Sequence, residues 1–207
     1  MPYNPHIHHR RSIRLKGYDY AQAGLYFITL CCYDRTCLFG YVTVGAENLP
    51  PEMILNDAGK TANECWLEIP KHFPNVILHE HIVMPNHVHG IIELTGNDAP
   101  LQKINADNNG VKHFLSENRT KHFLSENRAK DFSPLRSPSK TVGSIVRGFK
   151  IGVTKWFRGN TEIETAWQRN YHEHIIRNEQ SYQTIANYII NNPAKWAQDK
   201  FYKLQSN

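Results

Sequence analysis

The chain has 207 residues, 40% hydrophobic and 21% charged, enough for one ordinary core and a polar insertion. It lacks the roughly 18-residue apolar run that a membrane span needs, and its start, MPYNPHIHHRRSIRLK, lacks the apolar core of a signal peptide, so a cytoplasmic protein with no membrane partner is expected. The formal charge of +5, with twelve histidines uncounted, favours polyanionic partners without identifying one.

In chain order, Leu25–Tyr33 and Leu38–Val44 are rich in β-branched and aromatic residues and read as two strands, joined as a hairpin. Cys31, Cys32, Cys37 and Cys65 show no C-x-x-C spacing and read as reduced thiols. Asp57–Phe73 has helical spacing closed by Pro70 and Pro74. Val76–Met84 and His87–Leu94 are strand-like runs separated by Pro85-Asn86, a pair suited to a tight turn. From Gly96 to Ser139 the pattern becomes polar, and KHFLSENRT at Lys112–Thr120 recurs as KHFLSENRA at Lys121–Ala129, a tandem duplication in an inserted loop. Lys140–Arg158 and Glu179–Trp196 read as further helices. Together these elements predict a single α+β domain in which helices cover one face of an antiparallel sheet.

The segment His79–His89 holds four histidines in eleven residues. Residues two apart on a strand share a face, so His87 and His89 can present two imidazoles to one ion. A two-residue turn puts Met84 opposite His87 and Ile82 opposite His89, and turns His79 and His81 to the other face. That register disfavours a zinc cage of all four histidines, the structural alternative for this segment.

On the helix Lys140–Arg158, Lys140, Arg147, Lys150, Lys155 and Arg158 fall within an arc of about 140° opposite the apolar residues, a face suited to single-stranded nucleic acid. The cations Arg10, Arg11, Arg14 and Lys16 extend that expectation to the start of the chain. Tyr171, His172, Glu173 and His174 cluster just ahead of the last helix.

The segments HIVMPNHVHGIIE, WQRNYHEHIIRNEQSYQTIANYIINNP and HHRRSIRLKGYDYAQAGLYFITLCCYDR together resemble the REP-associated tyrosine transposases, a branch of the single-tyrosine HUH transposases. The resemblance covers most of the chain outside the insertion. It implies a ferredoxin-like α+β fold with an antiparallel sheet, a divalent metal (Mn2+ or Mg2+) on His87 and His89, and a tyrosine nucleophile in the W-Q-R-x-Y stretch, at Tyr171. Tyr182 and Tyr188 then belong to packing. His174, three residues beyond Tyr171, is the implied third ligand if both share a helical face. The implied substrate is single-stranded DNA with hairpin or palindromic ends, cut and rejoined through a 5′-phosphotyrosine, and a homodimer is among the assemblies allowed. A DNA-binding protein of the same descent that no longer cuts is the alternative.

Overall fold

The computed structural model describes residues 17–43, 50–96 and 140–202. Arg10, Arg11, Arg14 and, apart from Gly96, the repeat-bearing insertion lie outside the described residues. Four strands form the main sheet: β1 (Gly24–Cys31), β4 (Val76–Met84), β5 (His87–Leu94) and β6 (His172–Ile176). Their order is β4-β5-β1-β6 and every neighbouring pair is antiparallel. A small pair, β2 (Gly40–Val42) with β3 (Met53–Leu55), stands apart. The helices are α1 (Asp57–Leu67), the short α2 (Ile69–His72), α3 (Val142–Asn160) and α4 (Glu179–Ile190). Omitting the small pair and α2, the order βαββαβ followed by α4 is the ferredoxin-like arrangement, as expected.

Alternation along the strands produces two layers. Tyr26, Ile28, Leu30, Val88, Ile92 and Leu94 point to one face and join Trp66 of α1 and Phe149 and Val153 of α3 in the larger core. Leu25, Ile91 and Ile176 point to the other and pack on Tyr182, Ala186 and Ile189 of α4. Helices α1 and α3 thus cover one face as expected, while α4 lies on the opposite one. Gly90 makes the first layer possible, because a Cβ there would overlap the Trp66 ring.

Local signals explain the helix ends. The Asn56 side chain accepts from the Gly59 amide at 2.9 Å to start α1, and Thr141 with Ser144 forms a capping box at the start of α3. The long helix expected over Asp57–Phe73 breaks at Glu68, one residue ahead of α2 with its Pro70. The last helix stops at Ile190, and Pro193–Gln198 continues as a 3-10 turn.

Two expectations change. β2 pairs with β3 and not with β1, whose edges are taken by β5 and β6. Residues 172–176 form a strand, so Tyr171 and His174 do not share a helical face.

Candidate active site

The β4–β5 register is the one read from the sequence, with Met84 opposite His87 and Ile82 opposite His89. The turn that sets it is held from both sides: Cys32 N donates to Asn86 O at 2.8 Å and Phe39 N donates to Pro85 O at 3.0 Å. Both imidazoles project toward α4 and are 0% and 1% exposed. Their ring centroids are 4.4 Å apart.

Each histidine has a partner that orients its ring. His87 Nδ1 lies 2.9 Å from Asn86 Oδ1. An amide oxygen only accepts, so Nδ1 carries the proton and Nε2 is left with its lone pair. That Nε2 is buried with no hydrogen-bond partner among the described residues. Burial, assisted by the nearby Lys200 charge, pushes the His87 pKa down to about 3, so the ring stays neutral. His89 Nδ1 meets Thr29 Oγ1 at 2.9 Å and its Nε2 meets the Tyr188 hydroxyl at 3.2 Å. Burial first, then His87, holds the His89 pKa well below the ordinary histidine value, with Asp199 opposing. Because a hydroxyl both donates and accepts, Thr29 can serve either His89 tautomer.

Tyr188, on α4, brings its hydroxyl to this pair and donates to Asp199 Oδ2 at 3.2 Å. Burial and the Asp199 carboxylate push the phenol up to about 12. Asn192, 1% exposed, donates from Nδ2 to the same carboxylate oxygen at 3.4 Å, and its Oδ1 is buried with no hydrogen-bond partner among the described residues. The final described segment closes the site. Phe201 lies 4.7 Å from His87 and 5.9 Å from His89, centroid to centroid, and Trp196 lies 6.0 Å from His87. Asn86 Nδ2 donates to Phe201 O at 2.7 Å, so the turn that precedes His87 also anchors the cover over it.

The other expected site residues lie elsewhere. Tyr171 packs against the larger core and lines a cleft of about 560 Å³ along α3, on the opposite face of the sheet from the histidines. Arg147, Lys155 and Arg158 line the same cleft and are exposed. Lys150 is differently occupied: its ammonium donates to Gln168 O at 2.9 Å and Asn170 O at 2.6 Å and sits 5.6 Å above the Trp167 ring. It anchors the loop before β6, where Asn170 turns the chain with a φ of 73°. His174 is exposed and shares the α4 face, but it pairs with Phe27, whereas His89 pairs with Thr29.

His79 and His81 form no cage with His87 and His89. His81 bonds Asn63 Oδ1 at 2.9 Å and stacks on Trp66. A register shift between Leu78 and His81 turns His79 toward α4, against the expectation that it would face away with His81. There it meets Tyr182 at 3.2 Å and Glu93 at 3.1 Å. Among the described residues, no group of three His, Cys, Asp or Glu side chains is placed to hold a metal. All four cysteines are free, and no described helix is long and apolar enough to cross a membrane.

Sequence reasoning missed Tyr188, Asn192, Asp199 and the second-layer partners Thr29 and Asn86. The signal available is the run Asn187-Tyr188-Ile189-Ile190-Asn191-Asn192-Pro193, which reads as the end of a helix with Tyr188 given to packing.

These features define a ferredoxin-like α+β protein with a buried histidine pair faced by a tyrosine from the C-terminal helix. An uncharacterized protein of Haemophilus influenzae is 46% identical over 200 residues, covering 97% of each chain, and this chain belongs to that protein's family. No known family profile matches it. Among solved structures, a REP-associated tyrosine transposase bound to a REP hairpin is similar, with a TM-score of 0.53 and 18% identity over 92% of this chain and 77% of that one. At that identity the likeness establishes the fold.

Proposed function

We propose that the protein is a metal-dependent transposase of the HUH type, which cuts single-stranded DNA at hairpin ends and transfers the strand, with Tyr188 and not Tyr171 as nucleophile. The observation that carries this reading is the Tyr188 hydroxyl, 3.2 Å from His89 Nε2 and hydrogen-bonded to Asp199. Tyr171 lines the α3 cleft, across the sheet from the histidine pair. The hairpin-bound transposase of the same fold supports a DNA substrate, as does the basic stripe Arg147, Lys155 and Arg158.

The donor set fits a divalent cation. His87 offers a neutral, buried Nε2 with its lone pair unused, and Asn192 offers a buried amide oxygen. His89 would join them by exchanging its Tyr188 contact for the ion, with Thr29 taking the Nδ1 proton's hydrogen bond. His87, His89 and Asn192 would hold the cation, and His174 is not needed. Mixed nitrogen and oxygen ligands suit Mn2+ better than Mg2+. Once bound, such an ion offsets the negative charge that makes a phosphodiester a poor electrophile.

The protein's own groups account for the remaining chemistry. Tyr188 Oη attacks phosphorus, its proton passes toward Asp199, and the bond to the 3′ oxygen breaks to leave a 3′ hydroxyl after protonation. The 5′-phosphotyrosine is itself a phosphodiester, the tyrosyl ester having replaced the broken 3′ ester, so another 3′ hydroxyl can displace the tyrosine without ATP. Lys200, whose charge is felt at His87, is exposed and available to the phosphate.

Covalent trapping tests the assignment. With a single-stranded hairpin and Mn2+, the wild type should form an adduct that survives denaturation, Tyr188→Phe should form none, and Tyr171→Phe should still form it. Loss with Tyr171→Phe and persistence with Tyr188→Phe would return the role to Tyr171. Hairpin binding without any adduct would favour the non-cutting DNA-binding protein.

A further inference from the structure

We infer that the cleft between β6 and the first turns of α4 receives the unpaired base flanking the cleaved phosphate and selects among bases. This inference rests on the DNA-cleaving reading. The cleft, about 530 Å³, is lined by Phe27, His174, Gln180, Ser181 and Thr184, and its size falls within the range of small-molecule sites.

Its position ties it to the reaction. The Phe27 ring that walls the cleft lies 5.2 Å from His89 and 6.3 Å, edge to face, from Tyr188. Ser181, Thr184 and Tyr188 recur on one side of α4 at helical spacing, so the helix that presents the nucleophile also builds the cleft wall roughly 10 Å earlier along its axis. A short extended strand reaches from one to the other across Phe27.

Its chemistry fits a base and not a phosphate. No lysine, arginine or carboxylate lines it, in contrast to the α3 cleft with its three exposed cations. What it offers is an aromatic ring, an imidazole, two amides (Asn178 and Gln180) and two hydroxyls, groups that stack on a base and both donate to and accept from its edge. Thr184 Oγ1 spends its proton on Gln180 O at 2.8 Å, which leaves its oxygen to accept from an exocyclic amine. His174 acquires a role here that its distance from the histidine pair in sheet register denies it as a ligand.

The test uses the full-length protein with Mn2+ and hairpin oligonucleotides in which each position within two nucleotides of the cut carries each of the four bases or an abasic site. Wild type should show a preference of about tenfold or more in adduct rate at one position. His174→Ala and the double variant Gln180→Ala/Thr184→Val, all at exposed positions, should still form adducts with that preference reduced to about twofold. A wild type without base preference, or variants that retain the full preference, would overturn the cleft assignment alone. His174→Ala that binds hairpin but forms no adduct with any base would make His174 a metal ligand and overturn it too. Absence of any wild-type adduct would remove the cleaving reading, and the cleft assignment with it.

Discussion

His87 shows how neighbours set the state of a single side chain. Its Nδ1 proton is committed to Asn86 and burial keeps it neutral, so it is prepared as a ligand without losing a proton first. The same burial links it to stability. The folded pKa, about 3, lies below the ordinary histidine value, so between the two the unfolded chain binds more protons and stability falls as pH falls. The contribution is fully present above pH ~6.5 and is lost at up to about 1.4 kcal/mol per pH unit below it. Urea unfolding of the metal-free protein at pH 7.5, 6.5 and 5.5 should therefore slope more steeply for wild type than for His87→Gln; equal slopes would contradict the buried neutral ring. Among the cations, Lys150 and Arg158 should separate cleanly. Lys150→Ala should lower the melting temperature, because two carbonyls lose their donor. Arg158→Ala, at an exposed position, should leave the melting temperature unchanged and reduce the salt dependence of DNA binding by about one counterion.

At the scale of elements, β5 is built to serve both faces at once. His87 and His89 face α4, while Val88 and Gly90 face α1 and α3, and Gly90 alone leaves room for the Trp66 ring. Gly90→Ala should destabilise the protein by about 1–3 kcal/mol in chemical denaturation through overpacking; an unchanged midpoint would mean that Trp66 can move aside. The β4 bulge has a different effect. It places His79 and Glu80 both under α4, where each bonds Tyr182, and so anchors the helix that carries Tyr188. Tyr182 is a buried member of the core under α4, and Tyr188, six residues on, packs at its margin with its hydroxyl turned to His89 and Asp199.

Across the whole molecule, the site is assembled from distant parts of the chain and closed by its C-terminal portion. Phe201 covers both histidines and is tied to Asn86. Phe201→Ala should readmit water and raise the His87 pKa from about 3 toward its ordinary value, a shift that histidine NMR titration reads directly. An unmoved titration would mean that Trp196 and Met84 suffice to exclude water. Lys112–Ala129 is a polar tandem duplication in the sequence, so removing it should leave a folded protein with the same adduct-forming rate.

Hydrophobic period, turn chemistry and spacing were enough to locate β4, β5, α3 and the start of α4, and to put His87 and His89 on one face. Those features depend on neighbours close in sequence, where alternation and capping act directly. The pairing of β1, the strand at His172–Ile176 and the side of the sheet that α4 covers depended on contacts between remote segments, which carry no local signal. For the same reason Tyr171 could be favoured from its flanking residues, while the hydroxyl that meets His89 belongs to Tyr188, 99 residues away in sequence. Periodicity could establish that Tyr188 lies on a helix. Only the packing of α4 against the histidine face, fixed by Leu25, Ile91 and Ile176 on one side and Tyr182, Ala186 and Ile189 on the other, decided what that tyrosine touches.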